Sequence, residues 1–107
     1  MVTFLEISRH TAADCPARNE ASMKSVAEYM SKAPELQAKH GVKMVGGWNV
    51  HSEHLLVAVY EAPSYEALDA FRMEPEVMAM SYIVTEEIKI AMTLDETWKM
   101  MQQRGQK

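Results

Sequence analysis

Apolar and polar residues alternate from the first residues onward: Val2, Phe4, Glu6, Ser8 and His10 fall on one side of an extended chain, Thr3, Leu5, Ile7 and Arg9 on the other. That two-residue period predicts a first strand. Leu5 and Ile7 are the more apolar pair, so their side is expected to meet the helices and the Glu6 side to face away from them. Asp14-Cys15-Pro16 supplies a helix start, because proline suits the first turn and aspartate satisfies free amides there. Met23, Val26, Ala27, Met30 and Ala33 then recur at helical spacing and form one apolar stripe. Pro34 should kink or end that helix, and Gly41 is suited to the left-handed residue beyond a helix end.

Val42 to His51 predicts a second strand, with Gly46-Gly47 inside it as a mark of a bulge or a close backbone approach. A turn around Ser52-Glu53 leads to a third strand, His54 to Glu61, so the two form a hairpin. Ser64 caps a second helix bearing Ala67, Leu68 and Phe71, and Pro75 restarts a short helical piece through Val77 and Met78. Tyr82 to Met92 predicts the fourth strand. Thr93 and Glu96 have capping-box spacing and open a last helix with Leu94, Trp98 and Met101.

The order β-α-β-β-α-β predicts an α+β domain: a four-stranded antiparallel sheet, both helices on one face, and a short C-terminal helix. Strand one is central, between strands three and four. The other face of the sheet has no helix left to cover it, and an apolar sheet face in water would be an unusually large exposed patch. A second copy of the chain is the simplest cover, and Trp98 and Met101 on the last helix are expected to dock on a subunit, its own or the partner's, and not to bind a cofactor.

Composition fits this picture. At 107 residues the chain has room for one domain; residues 1–98 are expected to form it and 99–107 a C-terminal tail. Hydrophobic residues make up 48% and charged ones 24%, which is a globular balance and not that of a disordered segment. All 15 acidic residues precede Trp98, whereas the last ten residues carry only basic charges, Lys99, Arg104 and Lys107. A body so acidic disfavours sequence-independent nucleic-acid binding. The longest wholly apolar run, Leu55 to Tyr60, is far short of the ~20 residues of a membrane span, so no membrane partner is expected. Met1 to Glu6 has neither a basic start nor a long apolar stretch, so no signal peptide is expected. Cys15 is the single cysteine, which excludes an intrachain disulfide and makes the cytoplasm the default location.

In length and element order, and in the run Trp48-Asn49-Val50-His51-Ser52-Glu53-His54-Leu55-Leu56-Val57, the chain resembles the dimeric α/β-barrel superfamily of ferredoxin-like domains. Its members include antibiotic-biosynthesis monooxygenases, muconolactone isomerases and stress-responsive A/B-barrel proteins. The likeness runs from Val2 to about Trp98 and is nearest to small members with a His…Cys-Pro start, here His10 and Cys15-Pro16, and Glu-His before strand three. It implies a homodimer whose sheets close into a barrel, often around a small hydrophobic ligand, in a superfamily that includes enzymes with and without cofactors; no cofactor is the expectation for this chain. Fold alone does not set function.

Several residues are candidates for chemistry. Glu6, His10 and His54 are the polar groups best suited to proton transfer in a cofactor-independent oxygenase or isomerase. Glu6 is expected to lie near Lys89 on the barrel side; a structural ion pair at a dimer interface is the simpler reading of such a pair. Trp48, Tyr60 and Met80 are candidate ligand-binding residues, with ordinary packing as the alternative; methionine, ten of which occur, adapts its shape to a pocket or fills a core. Cys15 at a helix start would have its thiolate favoured by the helix dipole, which gives a redox role; an inert small residue is the plainer reading, since no second cysteine exists to resolve it. His10 with Cys15 is the candidate metal pair. His10 and His54 are expected at opposite ends of their strands, which argues against one site joining them. A non-catalytic ligand-binding or stress-related module, or a metal- or haem-binding protein, are the alternatives. No phosphate-binding glycine loop, Gly-x-Ser-x-Gly or Cys-x-x-Cys occurs.

Overall fold

The computed structural model describes residues 1–81 and 84–105. Four strands, β1 (Val2–Arg9), β2 (Lys43–Val50), β3 (Leu55–Ala62) and β4 (Thr85–Ala91), form one antiparallel sheet in the order β2-β3-β1-β4. Among the described residues the other elements are four α-helices, α1 (Glu20–His40), α2 (Tyr65–Arg72), α3 (Pro75–Ser81) and α4 (Leu94–Gly105), and a short 3₁₀ turn, His51–Glu53. The α+β order and the central place of β1 are as expected. The first two residues of the expected fourth strand, Tyr82 and Ile83, lie outside the described residues, and α4 runs through Gly105, past the boundary expected for a tail. Among the described residues no helix is long and apolar enough to cross a membrane.

The core lies between the sheet and the helices. Phe4, Leu68 and Phe71 are its largest fully buried side chains, joined by Leu36, Val42, Ala58, Tyr60 and Ala62. Phe4 and Ala58 fix which face of the sheet this is, and with them goes the Phe4-Glu6-Ser8-His10 side of β1. The expectation is therefore inverted: Glu6 faces the helices, and Leu5 and Ile7 face away. The two sides carry two apolar residues each, and Phe4, an aromatic that buries more surface than a Leu or Ile, tips the balance.

Helix α1 begins later than the sequence suggested. Asn19 is its cap, accepting a hydrogen bond from the Ser22 amide at 3.0 Å, and Thr11 to Arg18 forms turns instead. The helix passes through Pro34 without ending; Pro34 is exposed, so the carbonyl it leaves without a partner is on the solvent side. Its sheet-facing stripe is Ser22, Val26, Tyr29, Ala33 and Leu36, rotated from the one expected: Met23 and Met30 are 53% and 65% exposed. Gly41 adopts φ 67° and ends the helix, and its amide bonds to the Ala38 and Gln37 carbonyls. Thr93 and Glu96 form the reciprocal capping box of α4, each side chain accepting from the other's amide.

A bulge at Val45 interrupts the β2–β3 register, which runs Met44↔Tyr60 and then Gly46↔Val59. One inserted residue turns all that follows to the other face. Trp48 consequently points away from the helices and folds back over Gly46, where an added Cβ would lie 2.8 Å from the indole. The glycine admits a side chain and not a backbone.

Candidate functional site

A cavity of about 500 Å³ opens between the helix-side face of the sheet and helices α1 to α3. Its floor is the alternate residues of β1, β2 and β3, among them Glu6, Ala58 and Tyr60; Tyr29 of α1, Phe71 of α2 and Met80 of α3 form the opposite wall. This volume is that of an ordinary small-molecule site.

Glu6 is the polar centre. It accepts a hydrogen bond from the Ser8 hydroxyl at 3.1 Å. Burial raises its pKa above the usual carboxylate value, and the nearby Glu86 carboxylate raises it further, while Ser8 and Arg72 oppose. Arg72, the last residue of α2, makes a charge-assisted bond to Glu86 of β4, whose other oxygen receives the Ser81 hydroxyl at 3.4 Å. Burial works against the Arg72 charge, but the hydrogen bond and charge of Glu86 outweigh it and hold the guanidinium protonated. Burial also pushes the phenols of Tyr29 and Tyr60 up, Tyr60 strongly with the Glu6 charge added, so both stay neutral donors.

Lys89 is not the partner of Glu6. Across the β1–β4 ladder Glu6 faces Ile88, and Lys89 faces Leu5 on the opposite side of the sheet, exposed and 3.8 Å from Glu87. The side on which Ile88 packs is the helix side, and its neighbour by strand alternation is Glu86. That parity, together with the position of Arg72 at the end of an amphipathic helix, was the signal for the Arg72–Glu86 pair that the sequence reading missed.

At the end of β1 the cavity wall changes character. His10, Cys15 and His54 present ligand atoms that all lie within 4.8 Å of one another. His54 and His10 meet through Nδ1 and Nε2 at 3.2 Å, with the rings edge to face. The expected separation of these two histidines is overturned by strand direction: β1 and β3 are antiparallel neighbours, Arg9 opposes Leu55, and a bond from the His10 amide to the His54 carbonyl extends the ladder by one step. The end of one strand is thus the start of the other. Burial lowers the pKa of His10 and the His54 ring lowers it further, against a smaller opposing effect of Asp14. Cys15 is not at a helix start. It lies in the turn before α1, buried, its carbonyl accepting from the Arg18 and Asn19 amides, so the dipole argument for its thiolate does not apply.

Of the candidate ligand residues, Tyr60 and Met80 line the cavity. Trp48 does not; the Val45 bulge puts it on the other face, 60% exposed, so Trp48 and Tyr60 share no pocket.

This is a ferredoxin-like α+β fold. Solved structures with the same architecture include protein Atu4242 from Agrobacterium tumefaciens, 16% identical with TM-score 0.58 over 86% of this chain and 92% of that one. A NIPSNAP domain protein from Burkholderia xenovorans is 14% identical with TM-score 0.55 over 87% and 94%. SnoaB, a cofactor-independent oxygenase from Streptomyces nogalater, is 14% identical with TM-score 0.47 over 86% and 91%. No family profile and no curated protein sequence matches the chain.

Proposed function

We propose that this chain holds a small, largely apolar molecule in the cavity between sheet and helices, with Glu6 as the group that exchanges a proton with it. The observation that carries this reading is the cavity itself: about 500 Å³, with apolar walls and a carboxyl whose pKa is raised by burial at its floor. Such a carboxyl is a stronger base when ionised and a usable acid when protonated. The chemistry it suits is removal of a proton from a carbon beside a carbonyl and its return at another position. That is an isomerisation, or the opening step of a cofactor-independent oxygenation. His10 and His54, at the cavity's end, are the further proton carriers.

We also propose that the working unit is a homodimer. Leu5, Ile7, Val57 and Val59 form an apolar strip on the sheet face that no helix of the described residues covers, and Trp48 lies exposed beside them. Helix α4 buries none of its residues and exposes Leu94 and Trp98. A second copy covers both surfaces. Sedimentation at micromolar concentration should show a dimer, and a chain that is only monomeric would remove this part of the reading.

The cavity is tested with the fluorophore 1-anilinonaphthalene-8-sulfonate in the presence of a chelator, beside a Leu56→Trp variant that fills the cavity from β3. One probe per chain is expected, with at least about tenfold weaker binding in the variant, as loss of a well-fitted apolar contact predicts. Equal binding by both proteins would sink the proposal. Mass spectrometry of the native protein then identifies any organic molecule that accompanies it, and Glu6→Gln should bind that molecule while losing its turnover.

A further inference from the structure

Three side chains with metal-binding atoms, distant in sequence, come together at the end of β1. Their meeting follows from backbone features already described. The antiparallel β1–β3 ladder sets His10 opposite His54. The turns from Thr11 to Arg18 carry the chain back so that Cys15 is buried beside them, 4% exposed. His54 adopts φ 52° and ψ 43°, a left-handed conformation uncommon outside glycine though enriched in histidine. That conformation ends the short 3₁₀ turn His51–Glu53 and starts β3 with the His54 ring turned toward His10.

We propose that His10, Cys15 and His54 form a binding site for a divalent transition-metal ion of borderline softness, zinc foremost. The geometry fits. Two nitrogens bound to one tetrahedral zinc at about 2.05 Å stand about 3.3 Å apart; Nε2 of His10 and Nδ1 of His54 stand 3.2 Å apart. A nitrogen and a thiolate sulfur on the same ion stand about 3.5 Å apart; Cys15 Sγ lies within 4.8 Å of a ring nitrogen of each histidine, so a shift of up to roughly 1.3 Å, a rotamer-scale adjustment, brings it to that distance. The donor set also selects the metal. A thiolate with two imidazoles suits zinc, copper or cobalt, and not magnesium or calcium, which take oxygen.

Three protein ligands leave a fourth position, and all three residues line the cavity. That open position is the arrangement of zinc sites that bind water or a ligand oxygen, as opposed to closed structural sites. His51 also lies on the cavity wall, its ring centroid 6.3 Å from that of His54. The ion would sit at one end of the cavity, with Glu6 along the same strand. Its binding does not depend on the organic ligand proposed above: a chain that binds no such molecule still carries these three donors.

The test uses untagged full-length protein, stripped with a chelator and dialysed, then titrated with Zn(II) alone and separately with Co(II). One ion per chain is expected, with proton release from the thiol. The Co(II) form should show both a visible ligand-field band and a near-ultraviolet thiolate-to-cobalt band. Cys15→Ser should abolish the thiolate band, and Cys15→Ser and His54→Asn should each weaken Zn(II) binding at least about 100-fold, since removing only a hydrogen-bonding partner of a ligand already costs about 10–100-fold. Zinc binding well below one per chain, a Co(II) complex without the thiolate band, or equal affinity in folded variants each overturns the proposal. The Co(II) spectrum of the unaltered protein decides without relying on any variant to fold. Because the fluorophore test is run in chelator and this one without any organic ligand, either can fail while the other holds.

Discussion

Replacing Arg72 by methionine removes the cation between two carboxylates while keeping a long side chain against the cavity wall. The side chains of Arg72 and Glu86 are 24% and 14% exposed. Breaking a fully buried pair costs about 3–5 kcal/mol, whereas an exposed pair contributes up to about 1 kcal/mol. With this degree of exposure, and part of the charge screened by water, the expected loss at neutral pH is about 2 kcal/mol. For a domain of this size that lowers the melting temperature by roughly 10 °C. The loss has a particular origin: among the described residues Glu86 keeps the Ser81 hydroxyl alone, and Glu6 loses the Arg72 charge that opposed the Glu86 charge on it. It should therefore shrink in acid, where protonation of Glu6 removes one of the charges that Arg72 opposes. Adding Glu86→Gln should restore about half of the loss, a coupling of about 1 kcal/mol between neighbours. Urea denaturation followed by circular dichroism, at one fixed protomer concentration, measures all four proteins. A loss under about 0.5 kcal/mol at neutral pH, or one of equal size in acid, would refute the reasoning.

Three other outcomes follow from the same structure. Glu6 has a raised folded pKa, so its contribution to stability is full below the unfolded value near 4.5 and is lost as pH rises through the folded value; Glu6→Gln should remove that decline and gain stability on the alkaline side in thermal melts. His10 has the opposite sign, its folded pKa being lowered, so its contribution is present above the unfolded value of 6.5 and is lost as pH falls; His10→Asn should flatten the acid limb of the same profile. Phe71→Ala, at a side chain 1% exposed beneath the cavity, should cost about 3–5 kcal/mol in urea melts.

Much of the architecture was legible because it rests on local signals that act singly. Gly41 ends α1, Ser64 caps α2 and Thr93–Glu96 opens α4, each through one backbone requirement that its residue meets. The faces of the sheet were not legible from β1 alone, where Val2 and Phe4 on one side compete with Leu5 and Ile7 on the other. The deciding information is non-local: Ala58, Tyr60 and Ala62 oppose Glu6, Phe4 and Val2 across the ladder, and these three are all buried. From that parity the whole site follows. Once Phe4 is inward, Glu6, Ser8 and His10 are inward with it, Lys89 is excluded, and Glu86 is drawn in beside Ile88. The two remaining errors have the same root. Trp48 was taken as a cavity residue, but the extra residue at Val45 turns it to the other face, and His10 was set at the opposite end from His54, whereas in the order β2-β3-β1-β4 the antiparallel run of β1 and β3 brings the end of one beside the start of the other. The hydrophobic period finds the strands; the site lies where strand direction and register bring polar residues of the buried face together, and a period carries neither direction nor register.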